Sequence, residues 1–172
     1  MIGRKLGDLL VGSSVLVFSL LFGTNDCFAQ RADLGESGSS KRVRYRVTPS
    51  MVEAAFHRQD ISFEKKRGDD GDPIYLFKLA DFKVQIFFYG KDEDGWRSIQ
   101  FHAGFKGDDS TSLKQINEWN RTKRFGRAYL DSEGDPHIEY DLDFEGGVSE
   151  TVIDEGLKTF RALLIAFALF LQ

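Results

Sequence analysis

The stretch "FKVQIFFYGKDEDGWRSIQFHAGF", residues 82–105, decides the fold. Phe82, Val84, Ile86 and Phe88 alternate with Lys83, Gln85, Phe87 and Tyr89. Beyond the turn "KDEDG", Ile99, Phe101, Ala103 and Phe105 alternate with Ser98, Gln100, His102 and Gly104. A helical repeat of about 3.6 would scatter these apolar positions around a cylinder, whereas a period of two gathers each set on one side of a strand. Aspartate and glycine between the runs suit a tight reversal. Working outward, "ISFEKKR" (61–67) leads through "GDDGD" into "PIYLFKL" (73–79), and "AD" carries the chain into Phe82. Four strands in an antiparallel meander follow.

Helical segments flank this core. In "TPSMVEAAFHRQD", Thr48 is placed to cap and Pro49 to occupy the first helical position; Ser50 with Glu53 offers an alternative capping box. Met51, Ala54, Ala55 and Phe56 are expected on its inner side. A second helix starts at "STSLKQINEWNRTK", with Ser112 and Gln115 as its capping box. "FGRAYLD" and "PHIEYDLDF" read as a second hairpin, with Ile138, Tyr140, Leu142 and Phe144 facing one way and His137, Glu139, Asp141 and Asp143 the other. After "EGG", Ser149 is expected to cap a last helix. The order α-β-β-β-β-α-β-β-α defines an α+β domain with a twisted antiparallel sheet and flanking helices.

Residues 1–29 read as a signal peptide: Arg4 and Lys5, the uncharged run Leu9–Phe22, and small residues at Cys27 and Ala29, with cleavage between Ala29 and Gln30. The run is short for a membrane span. Cys27 lacks the preceding small residue and leucine of a lipidation site, and its removal would leave no cysteine for a disulfide. Residues 30–46 read as a flexible linker and 47–172 as the domain. The expected location is periplasmic or secreted. At 172 residues, 41% hydrophobic with 16 Phe, the chain suffices for one core; its net charge of −4 offers no general attraction to nucleic acid.

"NEWNRTKRFGRAY" (117–129) admits two readings. On a helix, Leu113 and Ile116 define the inner stripe, Asn120 falls between them, Asn117 and Arg124 lie on one margin and Trp119 on the other. The structural reading is a helix-to-strand corner held by Asn117 and Asn120, with Gly126 permitting the change of direction and Trp119 covering a core edge. The functional reading makes Trp119, Arg121, Arg124, Arg127 and Tyr129 an aromatic-basic platform. Glu139 and Asp141, on the adjacent strand, are available to neutralise Arg127.

The stretches "FFYGKDEDGWRSIQFHAGF", "INEWNRTKRFGRAYLDSEGDP" and "LDFEGGVSE", in this order and spacing, resemble the YbjN-type bacterial family, described as sensory transduction regulators. The resemblance runs from about Val47 to the C-terminus. It implies a fold similar to the type III secretion chaperones, often dimeric, and brings no catalytic residues. The export signal departs from a cytoplasmic regulator.

Other chemistry is sparse. The acidic turns at 68–72, 92–95 and 131–135 lack the ligand spacing of a calcium loop. His57, His102 and His137 sit on separate elements without cysteine, so no metal or other cofactor is expected. No nucleophile elbow or phosphate-binding glycine loop appears. In the last helix, Ile153, Leu157, Phe160, Leu164, Phe167 and Leu171 form a core stripe. Leu163, Ile165, Leu169 and Phe170 are surplus and need cover from within the chain, a second copy or a membrane surface. The sequence therefore points to an exported, non-catalytic interaction module that binds a protein or itself. The rival is an enzyme or small-ligand binder using a groove beside Trp119, Arg124 and Tyr129.

Overall fold

The computed structural model describes residues 42–107 and 111–172. The expected signal peptide, its expected cleavage between Ala29 and Gln30 and most of the expected linker lie outside the described residues. The described residues form eight strands and three helices: β1 (Val43–Arg44), α1 (Pro49–Arg58), β2 (Phe63–Arg67), β3 (Pro73–Leu79), β4 (Phe82–Asp92), β5 (Gly95–Gly104), α2 (Leu113–Thr122), β6 (Arg127–Leu130), β7 (Pro136–Asp143), β8 (Val148–Ser149) and α3 (Val152–Phe170). Six strands form one antiparallel sheet in the order β2-β3-β4-β5-β7-β6, so β2 and β6 are its edges.

The alternation in residues 82–105 does what its period demands. Val84, Ile86, Phe88, Ile99, Phe101 and Ala103 are all buried. α1 and α3 cover this side. Phe56 packs on Phe63, Tyr75 and Phe77, while Phe160 packs on Phe101 and Phe167 on Phe105. A Cβ on Gly156 would come within 2.6 Å of Leu142 Cδ1 and 3.2 Å of Phe101 Cε2, so α3 approaches the sheet closely there. Arg58 and Gln59 at the end of α1 both bond the Asp154 carboxylate of α3, tying the two helices together. None of the helices among the described residues is long and apolar enough to cross a membrane.

Several local expectations shift. The domain starts before residue 47: Val43 and Arg44 pair with Ser149 and Val148, and Val47 exchanges two backbone hydrogen bonds with Trp96, at 2.8 and 3.0 Å. Val43 and Arg44, which fall within the expected linker, are thus paired strand residues. The inner side of α1 is Val52, Ala55 and Phe56, with Ala54 outside. Thr48 is its N-cap residue but its hydroxyl meets Ser50 Oγ at 2.9 Å instead of the helix backbone. Ser112 Oγ accepts from Gln115 N, as a capping box requires, whereas the Gln115 side chain donates to Phe170 O on α3 at 3.2 Å. Ser149 belongs to β8, and α3 begins three residues later with Thr151 as N-cap.

Candidate interaction face on the open side of the sheet

The platform residues are dispersed. Trp119 is fully buried, its ring 4.8 Å from Phe167 and 5.4 Å from Phe170. Its indole N–H has no partner among the described residues. Arg121 pairs with Glu118 one turn back at 2.6 Å, and Arg124 lies over the exposed ring of Phe125, 4.9 Å from its centroid. Only Arg127 and Tyr129 reach a common surface, the side of the sheet opposite α1 and α3.

The corner is real but built differently from the expectation. Asn120 Nδ2 donates to Ala128 O and Ala128 N donates to Asn120 Oδ1, both at 2.9 Å. The amide serves one residue of the edge strand β6 as a neighbouring strand would. Asn120 is otherwise on the outer side of α2, as are Leu113, 67% exposed, and Asn117, which makes no side-chain hydrogen bond among the described residues. The inner stripe is Ile116 and Trp119. The change of direction falls on Phe125, at φ 73°, with Gly126 N donating to Arg124 O at 3.0 Å. That is the signature of the strained, positive-φ γ-turn. Gly126 sits in a tight space instead: a Cβ there would lie 3.1–3.2 Å from terminal methyls of Ile138 and Leu163, which would have to give by a few tenths of an ångström.

Strand register assembles the open face. One row crosses all six strands: Glu64, Leu76, Gln85, His102, Glu139 and Arg127. Beside it run Phe87, Gln100 and Asp141 on one flank and Gly104, His137 and Tyr129 on the other. Among the described residues no helix lies over these side chains. They organise one another. His102 Nε2 is 2.9 Å from His137 Nδ1, His137 Nε2 is 3.1 Å from Asp131 Oδ2, and His102 Nδ1 is 3.2 Å from Gln85 Oε1. Tyr129 stacks on His137 at 5.0 Å and 9°. Gln100 donates to Asp141 at 2.9 Å and accepts from the Tyr89 hydroxyl at 3.3 Å. Glu139 is the single buried charged residue among those described, 7% exposed, and pairs with Arg127 as their opposition across β6 and β7 leads one to expect.

The electrostatics follow from this packing. Burial, then the neighbouring His137, holds His102 below its ordinary value; Glu139 opposes them. Burial raises the Tyr129 and Tyr89 phenols, aided by Glu139. The bond to Glu139 raises Arg127. Asp131 is lowered first by the Asp135 backbone N–H and then by His137. In the neutral pair, His137 donates to Asp131, His102 donates to His137, and Gln85 must present its NH₂ to His102. No group of three or more metal-ligating side chains forms among the described residues. The sequence showed the two histidines but not their contact, because period two fixes a face and not the neighbouring strand.

Fold and face define an α+β module with an uncovered sheet surface. The chain belongs to the YbjN family: the profile described as "Putative bacterial sensory transduction regulator" matches residues 48–172. The curated proteins give no match. Among solved structures, the chain is similar to the Yersinia pestis type III secretion chaperone SycH, solved in complex with a stable fragment of YscM2. That similarity has 15% identity and a TM-score of 0.48, and covers 72% of this chain and 98% of the other.

Proposed function

We propose that this chain is an exported, non-catalytic regulatory module of the YbjN type, acting in the periplasm or outside the cell by binding another protein. The observation that carries the reading is the open sheet face. It mixes half-buried Ile74, Leu76 and Phe87 with a pre-bonded set of polar side chains, the composition of a protein-binding patch rather than of solvated strand surface. The family's regulatory description supports the same reading. Trp119, which the enzymatic alternative placed beside a groove, is packed against Phe167 and Phe170. Self-association belongs to the proposal through α3, whose outer side carries Ile165 and Leu169, 46% and 65% exposed.

The test is photo-crosslinking in the producing cell, with the reactive residue at Phe87 on the open face or at Lys114 on the outer side of α2. Discrete protein adducts from position 87 and none from 114 are expected, on a chain whose intact mass begins at Gln30. Identical adducts from both positions, or none from 87, would refute the face. A chain retaining Met1, or one lipidated at Cys27, would refute the export assignment.

A further inference from the structure

His102 of β5 and His137 of β7 are diagonal neighbours on the open face: the register opposes His102 to Glu139 and His137 to Gly104. Their rings nonetheless meet, with His102 Nε2 2.9 Å from His137 Nδ1. Gly104 gives the His137 ring its place, because a Cβ there would lie 2.9 Å from His137 Cε1. Tyr129 stacks on His137, and Phe87 meets His102 edge-on with centroids 5.8 Å apart. Packing thus holds both rings in position.

The outer nitrogens decide what the inner ones can do. Asp131 is an ionised carboxylate and only accepts, so His137 Nε2 carries the proton and the neutral ring keeps a lone pair on Nδ1. Gln85 turns its Oε1 to His102 Nδ1 at 3.2 Å. An acceptor there holds the His102 proton on Nδ1 and leaves Nε2 bare as well. Turning the amide over restores the metal-free pair, in which His102 Nε2 donates to His137. With Oε1 inward, two lone pairs converge while each ring donates its other N–H to an acceptor. Metal-ligating histidines are held in this way. Burial, then His137, also keeps His102 below its ordinary value, in the neutral form that a metal requires.

The spacing selects the metal. Ligand nitrogens about 2.0–2.1 Å from an ion lie about 2.8–3.0 Å apart at the right angle of a tetragonal site, and about 3.3–3.4 Å apart at the tetrahedral angle. The observed 2.9 Å fits the first. We propose that His102 Nε2 and His137 Nδ1 bind a tetragonal divalent transition-metal ion, Cu(II) by preference, with Asp131 and Gln85 as positioning residues. The ion takes the place of the proton between the rings, each ring tilting to aim its lone pair at it. Glu139, opposite His102, is committed to Arg127, so water fills the remaining positions toward the open side.

Titration of the protein as its host produces it with Cu(II), in the presence of excess glycine as competitor, tests the assignment by electron paramagnetic resonance. One Cu(II) per chain is expected, with a tetragonal spectrum split by two imidazole nitrogens. His102→Gln and His137→Gln should each abolish that pattern, and His57→Gln, on α1, should leave it unchanged. Asp131→Asn keeps both imidazoles and an acceptor for the turn's backbone N–H groups, and should show the same spectrum with about tenfold weaker binding. Should a histidine variant fail to fold, the wild-type spectrum decides, and fewer than two imidazole nitrogens overturns the site. Equal Cu(II) binding by the His102→Gln/His137→Gln variant would place the ion elsewhere on the chain and overturn the proposal. So would the absence of saturable binding over glycine, or Zn(II) binding as tightly as Cu(II).

Discussion

Asn120 shows how one side chain replaces a strand. Its amide supplies an acceptor to Ala128 N and a donor to Ala128 O, both at 2.9 Å, at the edge of the sheet. Deleting it strands two backbone groups of a half-buried edge, so Asn120→Ala should lower stability by about 1–2 kcal/mol. Asn117→Ala and Arg121→Ala, which remove no backbone partner, should stay within about 0.5 kcal/mol of wild type. Chemical denaturation reads all three, and an Asn120→Ala midpoint equal to wild type would refute the sealing role. The sequence identified Asn120 as the residue of the corner but put it on the inner stripe. The cause was Leu113, taken as inward, which sits exposed in the first helical position; rotating the stripe to Ile116 and Trp119 turns Asn120 toward β6. A helix of ten residues with so few apolar side chains has a poorly fixed projection.

At the scale of elements, strands were the most legible. Alternation over 82–105 fixed both the number of strands and the buried side, and β1 and β8 escaped because two residues have no periodicity. Pairing of β5 with β7 was not legible, yet it creates the His102–His137 contact. That contact has a measurable consequence. His102 is held below its ordinary value chiefly by burial, with His137 of β7 acting in the same sense and Glu139 of β7 opposing; Gln85 and Phe87 of β4 are uncharged. The folded state therefore prefers the neutral ring. Above the unfolded value, about 6.5, the ring's contribution is fully present; as pH falls below it, the unfolded chain takes up the proton first and stability is lost. Urea melts between pH 7.5 and 5.5 should show that decline, and His102→Gln should flatten it irrespective of its own effect on absolute stability. An unchanged slope in the variant would show that His102 does not titrate differently on folding.

For the whole molecule, the last helix poses the question of assembly. Of the four residues expected to be surplus, Leu163 is buried against the β6–β7 side and Phe170 lies on Trp119. Ile165 and Leu169 remain outside, with Ala162 and Ala166 completing an apolar stripe at helical spacing. Covering one such side chain contributes about 1.5–3 kcal/mol, and a twofold pair of helices covers each residue twice. Light scattering at micromolar concentration should report a dimer, and Ile165→Asp/Leu169→Asp a folded monomer. A wild-type monomer would exclude the interface, and vesicle binding by the wild type alone would assign the stripe to a membrane surface. Phe170 is unsuitable for this test because changing it disturbs the cover over Trp119.

The two edges of the sheet are guarded by different physics. At β6 the guard is a neutral amide in fixed contact, indifferent to dissolved ions. At β2 it is the cationic run Lys65, Lys66 and Arg67, which would meet its own kind if two copies aligned edge to edge. Screening shortens the reach of those charges from about 8 Å at physiological ionic strength to about 3 Å in molar salt. Lys65 and Lys66 are partly offset by Glu53 and Glu64, so high salt is expected to weaken the β2 guard further while leaving the β6 guard unchanged.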